Sequence, residues 1–285
     1  MTSTANPAQS EAWNGENGRR WVASADQRDQ ILAPVADALF AVAGLTAGLR
    51  VLDIGCGCGV TTLRAAALVG DTGSAIGIDL SGPMLDLARQ RAVRAGATNT
   101  DFVQGDGQTH AFAPASVGVI IGRFGTMFFS DPVAAFTNIG TALRPGGRLV
   151  LATWQPLAAN EWLIVPGAAL LNHTAMPAAA SDDGPGMFAQ SDPEIVTSIL
   201  RDAGFVEIVL EATDVTFTLG QTIDEAVEYL ADSGPGRLLL KSIPEGPARD
   251  AALADVSAAL VDHQDESGVP LGGGIWLITA TRPTH

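Results

Sequence analysis

The chain is short of positive charge. Among its 285 residues 16 are Lys or Arg and 31 are Asp or Glu, a formal net charge of -15, with a pI near 4.4. Phosphate backbones and anionic lipid faces are held by clustered Lys and Arg, so neither nucleic acid nor a membrane is an expected partner. Lysine is nearly missing, Lys241 being the only one. Tyrosine also occurs once, as Tyr229, and the residue four positions on is Ser233. The Tyr-x-x-x-Lys pair of a short-chain oxidoreductase is therefore absent. The two cysteines, Cys56 and Cys58, are too close in sequence for an ordinary disulfide. No further ligands are grouped with them, and no metal is expected. No segment approaches 18 uninterrupted apolar residues, and the stretch from Met1 to Arg20 is polar with no apolar core. A soluble, cytoplasmic protein is expected.

What is present is a large apolar fraction, 47% of residues, enough for a substantial core. Through the first half, short apolar runs alternate with helical patterns, which predicts an α/β fold with a doubly wound, mostly parallel sheet. The expected strands are Arg50 to Ile54, Ser74 to Asp79, Asp101 to Gln104, Val117 to Ile121 and Arg148 to Thr153. Helices are expected over Val60 to Val69, from near Pro83 to Ala95, and over Pro132 to Leu143, the last ended by a turn at Pro145-Gly146-Gly147. Gln155 to Gln190 is rich in Pro, Ala and Gly yet carries Trp162, His173, Met176, Met187 and Phe188, which fits a cap better than a linker. A helix start at Ser191-Asp192-Pro193-Glu194, a strand at Phe205 to Leu210, a helical stretch from Thr222 to about His263 and a last strand at Gly274 to Ala280 complete the reading. One domain over 1-285 is expected: a helical segment at 1-49, a core at 50-154, a cap at 155-190, and a C-terminal part at 191-285 with a helical insertion at about 221-265.

The most informative stretch is Val51-Leu-Asp-Ile-Gly-Cys-Gly-Cys-Gly59. An apolar strand runs into glycines at 55, 57 and 59, which lets the chain turn sharply and lets backbone amides approach a ligand. Asp79 ends the next strand, where a carboxylate can accept both hydroxyls of a ribose. The dinucleotide fingerprint G-x-G-x-x-G would need glycine at 60, where this chain has Val60. The order here is G-x-G-x-G.

This loop resembles motif I of the class I S-adenosylmethionine (SAM) dependent methyltransferases. Asp79-Leu-Ser-Gly-Pro-Met84, Gln104-Gly-Asp-Gly-Gln108 and Leu143-Arg-Pro-Gly-Gly147 extend the likeness, which is greatest to the bacterial ubiquinone-biosynthesis type of small-molecule methyltransferase. The resemblance implies a Rossmann-like sheet of seven strands, whose last strand is antiparallel and inserted between the fifth and sixth, with helical cap insertions. It implies SAM as cofactor, with Gly55, Cys56, Gly57 and Gly59 in the loop. By position, Asp79 binds the ribose, Leu80 and Met84 pack the adenine, and Asp106 with Gly107 meets the adenine amine. Asp53 is expected to orient the glycine loop through backbone amides.

Arg123 follows strand four and is a candidate for holding the methionine carboxylate or a substrate carboxylate. Trp13 and Trp21 precede the first strand. They either close over the cofactor, with Trp21 the better placed, or pack on the sheet edge. Phe124, Met127, Phe128, Trp154 and Trp162 are candidates for an apolar substrate pocket. Methyl transfer from a sulfonium is an in-line displacement and needs a base only where the acceptor carries a proton. His173, with His110 second, is the candidate base. The sequence thus reads as a SAM-dependent methyltransferase acting on a small, fairly apolar metabolite, as a monomer or homodimer. A SAM-binding cyclase or decarboxylase, or a SAM-binding protein without catalysis, remains the alternative.

Overall fold

The computed structural model describes residues 5-175 and 184-284. Met176, one of the apolar cap candidates, lies outside the described residues. Four short helices precede the sheet: α1 (Pro7–Asn14), α2 (Glu16–Ala23), α3 (Ala25–Ile31) and α4 (Ala33–Ala43). The core then alternates β1 (Arg50–Ile54), α5 (Val60–Val69), β2 (Ser74–Asp79), α6 (Gly82–Ala95), β3 (Thr100–Gln104), β4 (Val117–Arg123), α7 (Pro132–Ala142) and β5 (Leu143–Trp154). After it come α8 (Glu161–Leu171), α9 (Pro193–Asp202), β6 (Val206–Thr218), α10 (Ile223–Asp232), α11 (Gly234–Lys241), α12 (Pro247–Leu260) and β7 (Pro270–Thr281).

The seven strands form one sheet in the order β3-β2-β1-β4-β5-β7-β6. β1 pairs in parallel with β2 and β4, β2 with β3, and β4 with β5. β7 lies beside β5 and runs against it: Arg282 N donates to Gly147 O at one end and Gln155 N to Gly274 O at the other, so numbers rise along one strand as they fall along the other. β4 is buried along nearly its whole length and reads as an unbroken apolar run, as a parallel strand covered on both faces must.

Local chemistry sets the helix boundaries. Asp131 caps α7 by accepting from Ala134 N at 2.9 Å, and Asp192 caps α9 by accepting from Glu194 N at 2.8 Å. The helix before β5 ends at Ala142, one residue early, and the turn expected at Pro145-Gly146-Gly147 is absorbed into the strand. Val117 pairs with Leu143 and Val119 with Arg148, so the intervening residues form a bulge. β6 and β7 also run well beyond their expected bounds, because main-chain bonds between Leu219, Gly220 and Val269 continue their ladder.

The chain divides into two compact units. The first comprises 5-154, 185-212 and 276-284, and the second 155-175, 184 and 213-275. In the first, Leu52, Ile54, Ile120, Leu149 and Leu151 pack with Phe136 and Ile139 of α7 in one buried cluster. In the second, α8 packs on α11 and α12. A small apolar pocket there is lined by Leu163, Pro166, Leu170, Leu230, Leu240 and Val256.

Candidate functional site

The carboxyl ends of β1 to β4 bring together the glycine loop, Asp79, Asp106 and Arg123, which is where open α/β sheets bind ligands. Gly55 and Gly57 both adopt left-handed backbone, φ 68° and 54°. A Cβ at Gly55 would lie 2.6 Å from Gly125 Cα, and one at Gly57 would lie 2.9 Å from Met84 Cε. No side chain fits either position without moving its neighbours. Gly59 is the N-cap residue of α5.

Asp53 lies under this loop and is fully buried. Its Oδ2 accepts from the hydroxyls of Thr61 at 2.6 Å and Thr62 at 2.7 Å, the first turn of α5. The expected backbone amides are thus replaced by side-chain hydroxyls, which tie the loop to its helix. Among the described residues Asp53 Oδ1 has no hydrogen-bond partner. Burial pushes its carboxyl up to about 6, against the two threonine bonds and the nearby Arg123 charge.

Asp79 accepts from Gly57 N and Ser81 N, both at 2.8 Å. Burial holds it above the ordinary carboxylate range despite these bonds. A carboxylate has roughly four acceptor positions, so capacity remains for ribose hydroxyls beside these bonds. Met84 is buried with Cys58 and Ala25, and Trp13 and Trp21 pack against that cluster. Burial pushes the thiol of Cys58 up to about 12 and that of Cys56 well above its usual range, so both are apolar packing groups rather than nucleophiles.

The N-terminal helices are stitched onto the ends of β2 and β3. Ser81 Oγ donates to Trp13 O at 2.7 Å. Asn14 Nδ2 donates to Leu80 O at 3.0 Å, and Gly82 N donates to Asn14 Oδ1 at 3.0 Å. Trp21 meets Trp13 edge to face at 5.9 Å, with the Arg28 guanidinium 4.7 Å over the Trp21 ring. These tryptophans therefore lie beside the glycine loop and Met84. Asp106 is 7% exposed and is gripped by Asn6 Nδ2, which is within hydrogen-bond distance of both its oxygens at 3.0 and 2.9 Å.

Arg123 donates to Leu32 O at 3.2 Å and pairs with Asp29 at 3.4 Å, with only 10% of its side chain exposed. Asp29 also pairs with Arg91 at 2.8 Å. The guanidinium expected to meet a ligand carboxylate is thus held by a carboxylate of α3. Asn6, Asn14 and Asp29 escaped the sequence reading because each acts on a residue 66 to 100 positions away, and only Asn6-Pro7, a helix-start pair, marked any of them locally.

Phe124 is left-handed at φ 65° and stacks flat on Trp154, centroids 4.1 Å apart and planes 7° apart. Phe128 meets Trp13 edge to face at 5.6 Å, and Met127 is buried. Four of the five pocket candidates thus lie at the ends of β4 and β5. Trp162 lies in the second unit, edge to face with Phe217 at 5.7 Å, its Nε1 donating to Asn160 at 3.2 Å. His110 follows Asp106, its N–H on Asp106 O, its ring edge to face with Phe112 at 4.8 Å. His173 belongs to the second unit, where Nε2 lies 2.7 Å from Asp255 Oδ2.

The residues present fit SAM. The loop can take close approach of a ligand, Asp79 keeps acceptor capacity for a ribose, and Asp53 offers an unpartnered oxygen for a cationic group such as an ammonium.

Comparison with known proteins agrees. A methyltransferase-domain family profile matches residues 51–147. Nocamycin O-methyltransferase of Saccharothrix syringae is 31% identical over 189 residues, covering 63% of this chain and 67% of that protein. Aklanonic acid methyltransferase DauC of Streptomyces sp. (strain C5) is 32% identical over 124 residues, 44% of this chain and 56% of the relative. Phosphoethanolamine N-methyltransferase 2 of Haemonchus contortus, solved with SAM, superposes with a TM-score of 0.60 at 18% identity, covering 96% of this chain and 59% of that one. The glycine loop, the carboxylates at successive strand ends and these likenesses converge: the chain belongs to the class I SAM-dependent methyltransferases.

Proposed function

We propose that this enzyme transfers the methyl group of SAM to an oxygen of a small, fairly apolar metabolite. The observation that carries the substrate class is the aromatic pair at the ends of β4 and β5, where Phe124, held in a strained backbone conformation, stacks on Trp154. Backbone strain of this kind persists where the surrounding structure over-determines it and clusters at functional sites. The acceptor class is supported by the relative from Saccharothrix syringae, whose name specifies O-methylation.

SAM supplies an electrophilic methyl whose sulfonium loses its positive charge on transfer. The chain's part is to hold, orient and exclude water. Asp79 would take the ribose hydroxyls. Asp53 would face a cationic group beneath the loop, and Met84 with Leu80 would flank the adenine. Phe124 and Trp154 supply a dry wall with no competing nucleophile.

A hydroxyl acceptor must lose its proton, and His173 is the group we assign to take it. His173 Nε2 lies 2.7 Å from Asp255 Oδ2; in the tautomer that carries its proton on Nε2, Nδ1 is the nitrogen with a lone pair to accept one. Isothermal titration of the purified protein tests the cofactor assignment: S-adenosylhomocysteine (SAH) binds and NAD does not. Binding of NAD without binding of SAH overturns it.

A further inference from the structure

Asp106 stands where the resemblance to the methyltransferases places the adenine amine, yet its carboxylate is already filled by residues 5 and 6 and by Gln108. Oδ1 accepts from Gln108 N at 2.9 Å and Asn6 Nδ2 at 3.0 Å. Oδ2 accepts from Ala5 N at 3.0 Å, Asn6 N at 3.2 Å and Asn6 Nδ2 at 2.9 Å. A carboxylate offers about four lone-pair positions, so the exocyclic amine of adenine has no place on Asp106 while Asn6 is there. Asp79, which accepts from Gly57 N and Ser81 N, keeps acceptor capacity for a ribose.

The Asn6 carboxamide matches the group it displaces. Its Nδ2 donates to an acid and its Oδ1 accepts from a backbone N–H, Ser130 N at 2.6 Å. Adenine presents the same donor and acceptor side by side at its amine and N1. The contact is also dry: Asn6 is 3% exposed and Asp106 7%.

Asn6 has a second use for the same side chain. It is the N-cap residue of α1, with Pro7 in the first turn, but makes no side-chain cap bond. Asn is among the strongest N-cap residues because its side chain accepts from the first free N–H groups of its helix. Here the accepting Oδ1 is taken by Ser130 N, and Nδ2 donates to Asp106. We propose that Asn6 is a built-in competitor for the adenine subsite, latched on Asp106 without cofactor and turned back to cap α1 when adenine binds. The inference rests on the assignment of Asp106 as the adenine-side acid. α1 need not leave, since Trp13 and Asn14 at its far end keep their bonds to Ser81, Leu80 and Gly82.

The full chain and its Asn6→Ser and Asn6→Asp variants, titrated with SAH and with adenosine, test this. Both replacements can cap α1; serine lacks the amide that reaches both Asp106 oxygens, and aspartate is repelled by the carboxylate. Affinity for each ligand should rise about tenfold in both variants, since an apparent Kd scales inversely with the open fraction. The gain should persist for adenosine, because the competition is at the base. Hydrogen exchange on the unaltered protein gives a second readout: SAH should speed exchange at the Ala5 and Asn6 amides. Equal or weaker binding by the variants, or slower exchange at those amides, overturns the latch while leaving SAM binding intact. Absence of SAH binding in all three proteins overturns the cofactor assignment and the latch with it.

Discussion

At the scale of single residues, Asp53 has the clearest consequence. Its carboxyl titrates near 6 in the folded protein against an ordinary value of 3.8. Between those values the native state binds more protons than the unfolded chain, so this group's contribution falls as pH rises. The penalty is absent below about pH 3.8 and complete above about 6, amounting to about 3 kcal/mol at 1.36 kcal/mol per pKa unit. Urea denaturation at pH 4 and pH 7 should show Asp53→Asn gaining stability relative to the unaltered protein by that order across the interval. A pH-independent difference would count against a protonated Asp53. Asp79→Ala should weaken SAH by about 1.5 to 3 kcal/mol, the range for hydrogen bonds to a charged acceptor. It also removes the acceptor for Gly57 N and Ser81 N, so some stability is lost with it. Gly57→Val should abolish SAH binding, because φ 54° and Met84 Cε both oppose a side chain. Calorimetry in which either variant binds as the unaltered protein does would sink the loop assignment.

At the scale of elements, the strands of the first half deliver their groups to a common edge, and capped or tethered helices start beside β1, β2 and β4. The threonines of α5 hold Asp53, Ser81 caps α6 one residue beyond Leu80, and Asp131 caps α7 beyond the aromatic turn. Caps that touch none of the candidate cofactor residues should affect stability alone. Asp192→Ala removes the acceptor for Glu194 N and Ile195 N at the start of α9. A loss of about 1 kcal/mol is expected, with SAH affinity unchanged. A parallel drop in affinity would show that α9 supports the cofactor edge.

At the scale of the whole molecule, cofactor residues and the candidate base fall in different compact units. His173→Ala should therefore leave SAH affinity as it was, and under the proposed function it should lower turnover by roughly 10² to 10⁴, the range for losing a general base. Once an acceptor is in hand, pH-rate profiles of the unaltered protein, His173→Ala and His110→Ala decide the matter. Full activity in both variants would mean that positioning and desolvation suffice.

Where a segment's structure depends on its own residues, the sequence determined it. β1, α5 and β2 fall at the expected residues because apolar runs, glycines and helix patterns are local signals. The same locality placed Asp79 at the end of β2 and the glycine loop directly after β1, while Asp106, two residues past β3, was singled out by the family resemblance. Tertiary structure decided what depends on distant partners. It made a bulge of Pro145-Gly146-Gly147 through pairing with β4, and it gave Arg123 a carboxylate from α3. It also set Asn6 on Asp106, a hundred residues away. A carboxylate's position can be read from the strand it ends, but its partners are set by which chain segments the fold brings within hydrogen-bond reach.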